Sequence, residues 1–182
     1  MNLPNLISLA RLLSVPAIVW LIIESHWLAA FALFAVAGLS DAVDGAIARR
    51  FGRQTTLGTY LDPLADKALL VAVYVTLAAV DRLASWLAIL VLSRDVLIVG
   101  GILVAQLFAV RIEARPSMLS KLNTGLQIVL AAAVLAAIAL QVELLADVVV
   151  WLIWAVAAST VASGIGYAML WMHRMSHAEE AR

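Results

Sequence analysis

The chain has 182 residues, is 65% hydrophobic and only 13% charged, whereas an average globular domain is about 45–50% apolar and about 25% charged. With a mean hydropathy of +1.04, a soluble chain of this size would leave too much apolar surface wet, so lipid is the expected solvent. The 12 basic and 12 acidic residues balance to zero and cysteine is absent, which argues against nucleic acid as a partner and excludes disulfides, thiolate metal sites and a cysteine nucleophile.

In chain order, apolar stretches run approximately over Leu6–Ile23, Trp27–Ala48, Leu61–Val80, Trp86–Phe108, Leu122–Leu140 and Val148–Met172. Strands of a membrane barrel would alternate over about 10 residues. These stretches are long, continuous and rich in Ala and Leu, so they read as helices. At about 20 residues per span they fill the chain. The prediction is an all-α integral membrane protein, a bundle of six transmembrane helices forming a single domain over residues 1–182. No length remains for an appended soluble domain. The first stretch has no basic region ahead of its apolar core, so it is expected to be a span and not a cleaved signal. Trp27, Trp86 and Trp171 lie near span ends, where interfacial anchors are expected.

The Lys and Arg bias sets orientation. With the N-terminus inside, the cytoplasmic ends and loops carry Arg11, Arg49, Arg50, Arg53, Lys67, Arg111, Arg115, Lys121, Arg174 and Arg182. The opposite loops carry Arg82 beside the acids Glu24, Asp81, Glu143 and Asp147. Arg94 falls inside the fourth span. The expected topology is N-in and C-in.

The chemistry-bearing residues lie where the second span ends and the third begins: Asp41, Asp44, Asp62 and Asp66. Spacings of three and four put each pair on one helical face. A carboxylate inside a membrane helix costs at least ~2.5 kcal/mol, and neighbouring carboxylates repel each other. Snorkelling or pairing with Arg49, Arg50, Arg53 or Lys67 explains one such acid more easily than four in paired spacing. An all-oxygen set suits a hard cation such as Mg²⁺, Mn²⁺ or Ca²⁺, and not zinc. Four carboxylates suit two ions about 3.5–4 Å apart that clamp phosphoryl oxygens during in-line displacement. Gly45, Ala48 and Gly58 are small where a bulky anion would approach the backbone, although small residues also let membrane helices pack closely. Arg49 is placed to pair with a diphosphate.

The stretch reads D-x-x-D-G-x-x-A-R, then G-x-x-x-D-x-x-x-D, and it resembles the signature of the CDP-alcohol phosphotransferases. All defining positions are filled, by Asp41, Asp44, Gly45, Ala48, Arg49, Gly58, Asp62 and Asp66. The resemblance implies that the first three aspartates bind two divalent metals, Mg²⁺ or Mn²⁺, and that Asp66 is both ligand and proton acceptor. It implies CDP-diacylglycerol or a related CDP-alcohol as donor, CMP as leaving group, an alcohol as acceptor and a homodimeric assembly. By the same resemblance, Asn5 and Ser8 at the start of the first span, and Thr55, line the nucleotide-lipid pocket with Gly45, Ala48, Arg49 and Gly58. As plain structure, Asn5 and Ser8 simply open a helix behind Pro4.

Arg94 followed by Asp95 lies within the fourth span, and Lys121 opens the fifth. Arg94 either neutralises Asp95 or, with Lys121, holds the phosphate of the acceptor, since an intramembrane ionisable residue is a functional candidate by default. Arg111 and Arg115 read as headgroup-attracted charges. The histidines His26, His173 and His177 read as surface residues, and Glu179, Glu180 and Arg182 as a frayed tail. Gly100, Gly101, Gly125, Gly164 and Gly166 read as helix-contact or kink positions.

The acceptor is the open question. Asn2 to Arg11 resembles both the phosphatidylglycerophosphate synthase and the CMP-forming cardiolipin synthase branches. Ser93-Arg-Asp-Val96 and Ser120-Lys-Leu-Asn-Thr124 look more like the cardiolipin branch, which uses phosphatidylglycerol; the other branch tends to carry Arg-Glu and Gly-Lys-x-Lys-Thr and uses glycerol 3-phosphate. A small cation transporter would spread its polar groups through the membrane, often in two related halves; here the acids cluster towards one leaflet. The expected location is a bacterial inner membrane, with the site facing the cytoplasmic leaflet.

Overall fold

Uninterrupted Ala, Leu, Ile and Val runs satisfy their backbone hydrogen bonds most simply as helices, above all where no water is available. The structure, a computed structural model, describes the backbone of residues 3–51, 56–107 and 118–180 and the side chains of 9–40, 65–101 and 118–169. Among the described residues all regular structure is helical: α1 (Leu3–Ile23), α2 (Trp27–Phe51), α3 (Thr56–Ala79), α4 (Ser85–Leu107), α5 (Met118–Leu140) and α6 (Glu143–Glu180). Helices over Met118–Leu140 and Glu143–Met169 are long and apolar enough to cross a membrane.

The sixth helix departs most from the sequence expectation. It is 38 residues long and takes in Glu143 and Asp147, expected in a loop, and His173, His177, Glu179 and Glu180, expected in a loose tail. Glu143 in the first turn complements the helix dipole, and the tail of Ala, Leu, Met and Glu residues contains good helix formers with no proline to stop them. At about 1.5 Å per residue the helix is about 57 Å long, well beyond an about 30 Å hydrocarbon core.

The chain divides into two compact units. One comprises Met1–Ala84 with Ala131–Val149. Within it α1 packs against both α2 and α3, and Ile18, Ile22, Val73, Tyr74 and Leu77 are fully buried. Three tight turns belong to this unit, and each places a non-glycine residue in the left-handed region: Ser25 (φ 60°), Asp81 (φ 56°) and Gln141 (φ 52°). After α1, the Ser25 and His26 amides donate to the Ile22 and Leu21 carbonyls at 3.0 and 2.8 Å. After α3, the Asp81 and Arg82 amides donate to Ala78 and Leu77 at 3.2 and 2.8 Å. Both are Schellman caps, which use up carbonyls that the helix end would leave unpaired. The Arg82 guanidinium lies 5.5 Å from the Trp27 ring centroid, a cation–π contact that ties the start of α2 to the end of α3.

The other unit comprises Ser85–Leu130 with Val150–Arg182. Its core mixes apolar residues such as Leu87, Leu130 and Val156 with the buried polar Asn123, Gln127, Thr160 and Ser163. Its outer surface is apolar, with Trp151 77% and Val96 70% exposed, as expected where lipid replaces water. Trp86 and Trp154 meet with ring centroids 5.8 Å apart. The expected glycine contacts are corrected here. A Cβ at Gly100, Gly125 or Gly166 would meet nothing within 4 Å, and only Gly164 lies near a side chain, 3.9 Å from the Arg94 Cγ. None of these four glycines is a close-approach point.

Candidate active site

The four aspartates fall on two consecutive helices, Asp41 and Asp44 on α2 and Asp62 and Asp66 on α3. Only four residues of sequence separate these helices, a connection length that in helix bundles joins antiparallel neighbours. Asp44 precedes the end of α2 by seven residues and Asp62 follows the start of α3 by six. Asp41 and Asp66 each stand ten residues from the same ends. At about 1.5 Å per residue, Asp44 and Asp62 stand about 10.5 and about 9 Å from the ends that flank the connection, and Asp41 and Asp66 each about 15 Å. The side chains of Asp41, Asp44 and Asp62 lie outside the described residues, as do those of Asn5, Ser8, Gly45, Ala48, Arg49 and Gly58, and all of Thr55.

Asp66 is described in full. Its Oδ1 accepts a hydrogen bond from Nη1 of Arg11 at 2.5 Å, across 55 positions of sequence. The Arg11 side chain is 3% exposed and that of Asp66 40%. A buried guanidinium on α1 therefore holds a carboxylate whose side chain is partly exposed. Sequence reasoning counted Arg11 only towards orientation. Its position eight residues into an apolar helix was the available signal, because a charge there needs a partner. The matched depths, the all-oxygen donors and the exposure of Asp66 fit a hard divalent cation.

Arg94 and Lys121 lie in the other unit. Arg94 is buried and its fork is engaged within that unit: Nη1 donates to Asp95 Oδ1, and Nη2 to the hydroxyls of Ser120 and Ser163, each at 2.7 Å. Tyr167 lies with its ring centroid 5.7 Å from the guanidinium carbon. One turn away, Asn123 Oδ1 accepts from Ser159 at 2.7 Å and Thr160 at 2.9 Å. These bonds form a polar seam between α5 and α6 with Arg94 of α4 at one end. Lys121 is exposed at the start of α5. Of the two acceptor candidates, one is thus occupied by protein partners and the other faces outward.

Over residues 1–162 the sequence matches the CDP-alcohol phosphatidyltransferase family. The chain belongs to that family. CDP-alcohol phosphatidyltransferases are membrane-bound and generally use divalent metal ions. The match takes in residues of both compact units. A chloroplastic CDP-diacylglycerol–glycerol-3-phosphate 3-phosphatidyltransferase of Oryza sativa is 36% identical over 184 aligned positions, covering 92% of this chain and 56% of the relative. The CMP-forming cardiolipin synthase of Homo sapiens is 37% identical over 157, covering 75% and 50%. A CDP-diacylglycerol–glycerol-3-phosphate 3-phosphatidyltransferase of Aquifex aeolicus is 35% identical over 127, covering 68% and 70%. The chain spans about half the length of the rice and human relatives.

Proposed function

We propose that this chain transfers the phosphatidyl group of CDP-diacylglycerol to an acceptor hydroxyl, releasing CMP, with phosphatidylglycerol as acceptor and cardiolipin as product. The observation that carries the reading is the placement of two aspartate pairs at matched depths on α2 and α3, with every position of the family signature filled. The acceptor hydroxyl oxygen attacks the β-phosphorus of the donor. The bond from that phosphorus to the CMP oxygen breaks, and CMP departs with the electron pair. The hydroxyl proton passes to the Asp66 carboxylate, since an alcohol at neutral pH needs a positioned base. Asp41, Asp44, Asp62 and Asp66 would hold two Mg²⁺ or Mn²⁺ ions, whose charge stabilises the phosphoryl oxygens. Asn5, Ser8, Gly45, Ala48, Arg49, Thr55 and Gly58 line the donor pocket in this reading.

The acceptor assignment draws on two stretches that meet in space. Ser93-Arg94-Asp95 and Ser120 are joined by the Arg94 to Ser120 hydrogen bond. The glycine typical of the other branch at this point would offer no hydroxyl. Glycerol 3-phosphate is the second reading, favoured by the greater share of this chain that the rice relative matches; Arg94 and Lys121 are its candidate phosphate contacts. The same reading takes the six apolar stretches as six spans in one domain over 1–182; charge bias supports N-in and C-in topology with the site at the cytoplasmic leaflet of a bacterial inner membrane, and the homodimer rests on the family resemblance.

Purified protein in nanodiscs should release CMP from CDP-diacylglycerol only when an acceptor is added. Cardiolipin should form with phosphatidylglycerol, and little product with glycerol 3-phosphate. Excess EDTA should abolish turnover, and Mg²⁺ or Mn²⁺ should restore it. Absence of CMP under all these conditions defeats the reading; a glycerol 3-phosphate product alone moves it to the second acceptor.

A further inference from the structure

We infer that Arg11 is a positioning residue for Asp66, holding the carboxylate in the orientation that phosphatidyl transfer requires; this rests on the reading of Asp66 given above. Three observations carry it. The Nη1 to Oδ1 bond joins α1 to α3 at 2.5 Å, within the range of charge-assisted bonds, which are stronger than neutral ones. The exposures are unequal, 3% for the Arg11 side chain and 40% for Asp66. The guanidinium is thus fixed by packing while the Asp66 side chain is partly exposed. Finally, α1 packs against both acid-bearing helices, so a residue on α1 is referenced to α2 and α3 together.

Removing the guanidinium takes away the contact that ties the Asp66 carboxylate to α1. A shift of about 1 Å in a reacting group can cost about 10²-fold in rate. Because Arg11 engages the carboxylate, its loss should act on turnover more than on donor affinity. Arg also differs from Lys here. A planar fork fixes direction, whereas an ammonium supplies charge with less geometric control. A lysine should therefore restore only part of the effect.

Two measurements test this. In the first, Arg11→Gln, Asp66→Ala and the double variant are melted in EDTA without substrate. The double variant should lose less in Tm than the sum of the two single losses, because the two changes remove one shared contact. Additive losses overturn the pairing. In the second, kcat for Arg11→Gln, corrected for folded protein, should fall about 10–100-fold with KM for CDP-diacylglycerol changed less than about threefold. Arg11→Lys should fall between this variant and wild type, and it also serves as the test protein if Arg11→Gln does not fold. A raised KM with unchanged kcat overturns the proposal in favour of substrate contact. A lowered Tm with unchanged kcat overturns it in favour of a purely structural role. Failure of the wild-type chain to release CMP defeats the phosphatidyl-transfer reading itself, whereas an active wild type with additive Tm losses defeats the Arg11 assignment alone.

Discussion

Among the described residues each compact unit holds one buried arginine, and each arginine pairs with an aspartate, yet their surroundings differ in kind. Arg11 reaches from α1 to α3 and meets a carboxylate that is 40% exposed. Arg94 pairs with its own neighbour Asp95, whose side chain is 18% exposed, and spends its remaining fork on Ser120 and Ser163. An arginine surrounded by protein partners acts as a tie between helices. The carboxylate held by Arg11 is the more exposed of the two, 40% against 18%, so more of it is within reach of a ligand. Burial of the guanidinium alone does not separate the two cases; the exposure of the partner does.

The largest effect expected of any change is at Asp66. Asp66→Asn keeps the size and can still accept from Arg11, but it removes the base. Turnover in the CMP-release assay should fall about 10²–10⁴-fold, with CDP-diacylglycerol binding partly retained. Wild-type turnover would break the contrast at once, because the half-open carboxylate would then have no chemical task.

Arg94 sharpens the same comparison from the other side. Arg94→Ala removes Asp95's guanidinium partner and three hydrogen bonds, and breaking a buried pair in this way costs about 3–5 kcal/mol. Unfolding midpoints should drop accordingly. Arg94→Met with Asp95→Leu should recover most of that stability by replacing the pair with apolar packing. Recovered activity in this double variant would make Arg94 a helix tie. A stable but inactive double variant would return Arg94 to the acceptor phosphate, and the two arginines would be alike after all.

The smallest effect concerns the left-handed turn residues, which among the described residues all belong to the first unit. Ser25 is held at φ 60°, where a Cβ is crowded, at roughly 1–2 kcal/mol for an ordinary residue. Ser25→Gly should raise stability by up to about 1 kcal/mol after the added backbone entropy of glycine is offset, read as a small upward shift in Tm. A lowered Tm would show that the serine side chain contributes more than its backbone strain removes.

The helices were legible because membrane helices are written in continuous composition. The expected starts and ends of α1 to α5 fall within a few residues of the observed ones. The acid pairs were legible for a related reason, since spacings of three and four are local to one helix. The sequence failed at the ends of α6, where moderately polar residues with good helix propensity extend a helix that hydropathy alone would end. It also failed wherever an answer depended on residues far apart in the chain. That Arg11 meets Asp66 across 55 positions, and that Arg94 is shared between Ser120 and Ser163, follows from how apolar helices pack. Apolar runs of similar composition carry little information about which neighbour each will choose. Composition and periodicity thus determined the elements and the residue types able to do chemistry. Tertiary packing alone decided which charge each buried charge would find.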